Sequence, residues 1–326
     1  MTTNTKKAII LSISVFILSL ILFCVKYLPD NSNTEDLKTD KQSLNIINEH
    51  IENINNINII NDYGEYNFVK GTNDSSNLVI EELINYKKNQ NAFDELSDKV
   101  CNFVADKIVN ISETDQELYG FNIPRAKINI KYNNNLEIKL LIGNAAPGNI
   151  GYYVTKQDSS QVYLVSDNVI SVFLKSKLDY ISLDIISQKS DDEAMKDLEY
   201  VELTNNNQDE KIKIIKTKSK NKYNIIEPIQ KKVSEVGSKT IESFENIFAQ
   251  KIEAINLTSE DIENFGFNNP VASLNLKYKD QEVINILISE IPESEDFFVF
   301  RKDYNIIYRV SKSNLDWVYI KTDDLI

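Results

Sequence analysis

The chain has 326 residues, 42% of them apolar and 26% charged, with few glycines and prolines. This composition excludes bulk disorder and leaves room for two ordinary domains with real cores. With 36 basic against 49 acidic side chains the net charge is −13, a surface that disfavours DNA and RNA, and the single histidine, His50, excludes zinc sites built on histidine.

The first predicted element is the uncharged run Ala8 to Val25, "AIILSISVFILSLILFCV". As a helix rising 1.5 Å per residue it is about 27 Å long, close to the roughly 30 Å hydrocarbon core of a bilayer. A cleaved secretory leader is the rival, but its apolar region is shorter and needs a small-x-small cleavage site, which "LFCVKYLPD" lacks. A lipoprotein would carry its lipid on Cys24, and Phe23 before it is not small. The expectation is therefore an uncleaved anchor. Lys6 and Lys7 precede it, and the first acids, Asp30, Glu35 and Asp36, follow it, so the positive-inside rule places the N-terminus in the cytoplasm and the rest outside. Lys6, Lys7 and Lys26 are the only charged side chains before Asp30, so the remainder carries 33 basic against 49 acidic ones. The expected division is 1–28 for tail and anchor, 29–42 for a polar tether, 43–187 for a first repeat domain, 188–197 for an acidic linker and 198–326 for a second repeat domain.

The repeat shows when the chain is slid against itself by 146 positions. "SETDQELYGFNIPRAKINIKY" (Ser112 to Tyr132) meets "TSEDIENFGFNNPVASLNLKY" (Thr258 to Tyr278), with ten of 21 positions identical. Further on, "IKLLIG" faces "INILIS", "YYV" faces "FFV" after one deletion, and "VYLVSDNVISVFL" faces "IYRVSKSNLDWVY". Order and type kept over more than a hundred residues imply a duplication.

Within each copy, short alternating runs such as "DLEYVELTNNNQDEKIKIIKTKSKNKYNIIEP" read as antiparallel strands. An amphipathic helix is expected next, with Phe93, Leu96, Val100, Phe103, Val104 and Ile108 on one face in the first copy and Ile241, Phe244, Ile247, Phe248, Ile252 and Ile255 in the second. The quoted segments then predict a short capped helix: Ser112 or Thr258 as N-cap, Asp115 or Asp261 three residues on, and Gly120 or Gly266 as the left-handed stop. Phe121 or Phe267 folds back, and Pro124 or Pro270 prevents continuation. A hairpin follows, with Ile128, Ile130, Tyr132, Ile138, Leu140 and Ile142 buried in the first copy and Leu274, Leu276, Tyr278, Ile284, Ile286 and Ile288 in the second. The expected class is α+β, each copy closing on a C-terminal helix.

This order of features, an acidic short helix, Y-G-F-x-x-P, strands ending in "LLIG", a glycine-bearing loop, "GYYV" and "VYLVSDNVISVFL", resembles the bacterial family called domain of unknown function 4340. The first copy keeps the pattern best, from about Ser112 to Leu183. The second departs from it at Ser289 and at "SEDFFVF". The resemblance implies a membrane-anchored or secreted extracytoplasmic protein accompanying ABC-2-type transporter systems, including gliding-motility-associated components. It brings no catalytic residues.

The residues themselves supply no catalytic, metal or cofactor site. "GNAAPGNIGYY" lacks the Gly-Lys-Ser/Thr ending of a phosphate loop and leads into no helix, so it reads as a hairpin loop. "QKSDDEAMKD" lacks calcium-loop spacing. No Gly-x-Ser-x-Gly elbow is present, and Cys101 has no histidine near it in sequence. The repeated acids Asp115/Asp261 and Glu117/Glu263 are explained by helix capping rather than by a glycosidase pair. In Tyr152–Tyr153 and Phe297–Phe298, adjacent strand positions point to opposite faces, and core packing is favoured over an exposed contact. A non-enzymatic, membrane-anchored accessory protein is the reading these features favour. An envelope-polymer hydrolase using paired carboxylates and a ligand-binding sensor with its site between the copies remain alternatives.

Overall fold

The computed structural model describes residues 44–71, 77–109, 117–157, 159–187, 197–217, 222–279 and 283–326. The apolar run Ala8 to Val25, the tether, the cap residues Ser112 and Asp115 and nearly all of the acidic stretch 188–197 lie outside them. Among the described residues, no helix is long and apolar enough to cross a membrane.

The strands in chain order are β1 (Leu44–Asn48), β2 (Ile54–Asn61), β3 (Gly64–Lys70), β4 (Leu78–Val79), β5 (Asn102–Ala105), β6 (Lys107–Val109), β7 (Ala126–Tyr132), β8 (Glu137–Ala145), β9 (Tyr152–Lys156) and β10 (Val162–Val165). There follow β11 (Asp184–Ile186), β12 (Leu198–Asn205), β13 (Glu210–Lys216), β14 (Tyr223–Glu227), β15 (Lys231–Lys232), β16 (Ile247–Phe248), β17 (Lys251–Ile255), β18 (Ala272–Tyr278), β19 (Val283–Glu290), β20 (Asp296–Arg301) and β21 (Ile306–Ser311). Among the described residues, four α-helices accompany them: α1 (Gln90–Cys101), α2 (Asp167–Ile170), α3 (Glu235–Ser243) and α4 (Ser259–Asn264). The class is α+β.

Two large sheets carry the architecture. The first runs β4-β3-β2-β7-β8-β9-β10-β6, the second β15-β14-β13-β12-β18-β19-β20-β21-β17, so the second has the strand order of the first with one strand added at an edge. The registers match as well: Ile59 lies opposite Ile128 in one sheet and Leu203 opposite Leu274 in the other. A bulge interrupts each pairing at the same place, between Ile54 and Asn56 and between Leu198 and Tyr200. Two small sheets complete the set, β1 with β5 and β11 with β16. Every strand pairing is antiparallel.

Alternation along the hairpins puts the expected residues inside. Ile128, Ile130, Tyr132, Leu140 and Ile142 are buried, as are Leu274, Leu276, Tyr278, Ile284, Ile286 and Ile288, while Ile138 packs at the margin. One continuous core runs through residues of both sheets. A smaller cluster of Phe267, Phe300 and Ile307 sits beside α4, with Ile262, Phe265 and Phe298 against it.

Two elements differ from expectation. The amphipathic helices are shorter than the apolar spacing implies, because Phe103 and Val104 belong to β5, Ile108 to β6, Ile247 and Phe248 to β16, and Ile252 and Ile255 to β17. Branched and aromatic residues past the helix end find strand partners: β5 pairs with β1, β16 with β11, and β6 and β17 with the edges of the large sheets. Ladder hydrogen bonds to a neighbouring strand thus override a coincidental 3.6-residue spacing. In place of a C-terminal helix, the first large sheet is followed by the one-turn α2 and 3-10 turns at Ser171–Leu174 and Lys177–Tyr180, and the second by 3-10 turns at Lys312–Asn314, Asp316–Tyr319 and Thr322–Leu325. These turns bury Phe173, Tyr180, Trp317 and Leu325, so anchoring side chains, rather than a long helix, close each sheet.

Candidate functional site

The residues repeated most faithfully build a glycine joint in each half. In the second, Thr258 accepts from the Asp261 amide at 3.2 Å while the Asp261 carboxylate accepts from the Thr258 amide at 2.8 Å, a complete capping box. The Thr258 side-chain and backbone hydrogen bonds hold the Asp261 carboxyl below its usual range. At the other end of α4, the Phe267 amide reaches the Ile262 carbonyl at 3.0 Å and the Gly266 amide the Glu263 carbonyl at 2.8 Å, the two bonds of a Schellman stop. Gly266 adopts φ +80°, which only glycine reaches without a side-chain penalty. Phe267 turns back onto Ile262 and meets Phe300 with ring centroids 5.4 Å apart.

In the first half the glycine end of this joint recurs with one change. Gly120 has φ +79°, and its amide donates to the Glu117 carbonyl at 3.1 Å. A Cβ on Gly120 would lie 2.5 Å from Asn144 Oδ1, and one on Gly266 would lie 2.5 Å from Ser289 Oγ, so each left-handed glycine is roofed by a polar side chain from the facing strand. Asn144 is tied in further by its amide to the Tyr119 carbonyl at 2.8 Å and by Nδ2 to the Leu118 carbonyl at 3.2 Å. In the sheet ladder Ile142 faces Val154 and Ala145 faces Tyr152, whereas in the other half Ser289 simply faces Phe298. The extra residue of the first half is thus a bulge at Gly143–Asn144, where a Cβ on Gly143 would come within 2.0 Å of the Tyr119 carbonyl oxygen.

The aromatic pairs pack on both faces. Phe297 is fully buried, and Phe298 meets Phe265 edge-on at 4.8 Å beneath the Arg309 guanidinium. Tyr153 meets Tyr119 at 4.6 Å, and Arg125 lies 6.0 Å over Tyr152. His50 is exposed, and Glu117 and Glu263 also face solvent. Among the described residues no group of three or more His, Cys, Asp or Glu is placed to hold a metal.

Two polar grooves open where α1 and α3 begin. One, about 510 Å³, is lined by Lys87, Lys88, Glu95, Lys175 and Asp184, and its cations are engaged: Lys175 with Glu95 at 2.6 Å, Lys87 with Asp184 at 3.5 Å, and Lys88 with the Leu78 carbonyl at 3.3 Å. The other, about 870 Å³, is lined by Lys222, Lys232, Ser234, Lys239 and Glu242. Asn89 caps α1 and Ser234 caps α3, which occupies the helix N-terminal amides from within the chain.

Most of the strongly shifted titratable groups are core residues, while Tyr200 and Tyr319, both partly exposed, are raised by desolvation and then by their hydrogen bonds to Glu202 and Glu290. Burial pushes the Cys101 thiol up to about 11 and the Tyr132 hydroxyl up to about 12. Tyr278 is raised by burial and then by the Glu245 carboxylate. The core shifts follow from packing, and those of Tyr200 and Tyr319 from desolvation together with a neighbouring carboxylate.

A family model described as domain of unknown function (DUF4340) matches residues 79–247, more than half of the chain. The chain belongs to the DUF4340 family. The DUF4340 match runs from β4 through the Gly120 joint and on to β16, so it crosses from the first large sheet into the second. No curated protein and no solved structure matches the chain. DUF4340 membership therefore supplies a family without an activity. Asn144 as the partner of Gly120 was not legible from the self-alignment, which set Gly143 against Ser289; the single deletion just beyond that point was the available signal.

Proposed function

We propose that this DUF4340 protein is a non-enzymatic accessory or scaffold, held to the membrane by Ala8 to Val25, with its two α+β halves outside the cytoplasm and presented to an envelope partner. The two halves are read as tandem copies of one unit. The observation that carries this reading is how the recurring residues are spent. Asp261 caps a helix with Thr258, Gly266 terminates that helix, Gly120 takes the same left-handed conformation, and the shared aromatics pack the joint. Duplication has preserved a scaffold, so function falls to surfaces, and the acidic surface of the outer part suits a protein partner better than nucleic acid. An ABC-2-type transporter is the partner class implied by the family resemblance.

Crosslinking in intact cells followed by purification in mild detergent tests this reading. Recovery of a transporter permease or ATPase is the expected result. Recovery of no membrane protein, under conditions that keep other transporter complexes together, refutes it. The carboxylate-hydrolase alternative requires two acids about 5–10 Å apart across a substrate cleft, and it gains nothing from Asp261, whose carboxylate is occupied at the Thr258 cap.

A further inference from the structure

Strand β11 precedes the acidic stretch in sequence and would fall in the first unit if that stretch were a linker. Its pairing points elsewhere. β11 lies against β16, which follows α3, as β1 lies against β5, which follows α1. Each pairing has one irregularity at the same position, between Asn45 and Ile47 and between Asp184 and Ile186. The sequences agree too: "SLNIIN" at 43–48 and "SLDIIS" at 182–187. Ile46 and Ile47 are buried in one, Ile185 and Ile186 in the other. The ends also correspond, since ahead of the 3-10 turns Lys177–Tyr180 and Thr322–Leu325 the Ser176 and Lys321 amides each donate to a carboxylate three residues on, Asp179 and Asp324, both at 2.7 Å, and the turns bury Tyr180 and Leu325.

We infer that β11 is the leading strand of the second unit, so the units abut at Ser182–Leu183 and the acidic stretch is an insertion within the second unit. This rests on reading the two halves as copies. The connection from β1 to β2 is the five residues Glu49–Asn53, and the corresponding one from β11 to β12 is the eleven residues Ser187–Asp197. The joint is pinned on both sides: the Ser182 amide donates to the Lys87 carbonyl at 2.7 Å in the first unit, and the Leu183 carbonyl accepts from the Ala249 amide at 2.8 Å in the second. Tyr86 adds a hydroxyl bond to Asn256 Oδ1 at 2.9 Å across the two. A joint of two residues, fastened to both units, couples them mechanically where a linker of ten would let them swing.

Hydrogen exchange on the full-length chain tests the assignment. Ile186→Ala is expected to speed exchange about tenfold or more across 235–248 while leaving 90–105 unchanged, because opening is local to the unit that loses the contact. Faster exchange in 90–105, alone or together with 235–248, overturns it. If Ile186→Ala does not fold, Ile186→Val must give the same regional pattern at smaller amplitude. The mirror variant Ile47→Ala should loosen 90–105 and spare 235–248. Its failure, beside a positive Ile186 result, would refute the equivalence of the halves and leave β11 in the second unit.

Discussion

Exchanging the residues that distinguish the two glycine joints should have very unequal costs. In Gly143→Ser the new Cβ starts 2.0 Å from the Tyr119 carbonyl oxygen, at least 1 Å inside the 3.0 Å that real Cβ contacts respect. The obstacle is backbone and cannot rotate away. Relief requires moving the Tyr119 carbonyl off the Asn144 amide, losing a hydrogen bond worth about 0.5–1.5 kcal/mol, on top of about 1–3 kcal/mol for overpacking. A total of about 1.5–4.5 kcal/mol corresponds to a Tm lower by roughly 3–18 °C for a domain of this size class. The reverse exchange, Ser289→Gly, meets no clash and costs only the backbone entropy of a strand glycine, about 0.5–1 kcal/mol. Far-UV circular dichroism reports unfolding of both sheets, and fluorescence of Trp317, the only tryptophan, reports the second half. If Gly143→Ser melts within about 2 °C of the parent, or Ser289→Gly costs as much as its counterpart, the bulge is not the constraint described.

The cap at Thr258 gives a second expectation: Thr258→Ala should cost about 1 kcal/mol in urea unfolding. Because the folded Asp261 carboxyl titrates below its unfolded value near 3.9, its contribution is complete above that pH and fades as pH falls through the folded value, and Asp261→Asn should abolish this acid-range loss. Asn61 donates to the Phe173 and Lys175 carbonyls at 3.0 and 2.8 Å, whereas Asn205 reaches the Ile320 carbonyl only at 3.5 Å. Asn61→Ala should therefore destabilise by about 1–3 kcal/mol and Asn205→Ala by clearly less, a ranking that chemical denaturation measures directly. Cys101, buried and with its thiol raised to about 11, should resist iodoacetamide at pH 8 and react on unfolding in urea, as followed by mass spectrometry of its peptide; rapid native labelling would contradict that burial.

The strands were legible because burial on one face enforces period two, and Ile128, Ile130 and Leu140 obey it without exception. The glycine stops were legible because a left-handed residue admits few substitutes, and the structure places Gly120 and Gly266 within a degree of one another in φ. Helix length was not: Ile247, Phe248, Ile252 and Ile255 continue the helical spacing by coincidence, and only their pairing with distant strands shows it. Strands β1 and β11 escaped periodicity for a simpler reason, since three to five residues cannot display a period. Asn144 was hidden because its role depends on a bulge, which shifts equivalence by one residue where sequence comparison sees only a gap.

The ends of the two large sheets bear on how any partner can attach. The second terminates on the two lysines of β15 and, at its far side, on β17, where Lys251 and Glu253 form an ion pair. The first terminates on the two-residue β4 and the three-residue β6. Edges this short or this charged are poor templates for an incoming strand. Among the described residues these edges offer an added strand little backbone to grip, so the partner proposed above would be recognised by loops and faces, where specificity resides in side chains.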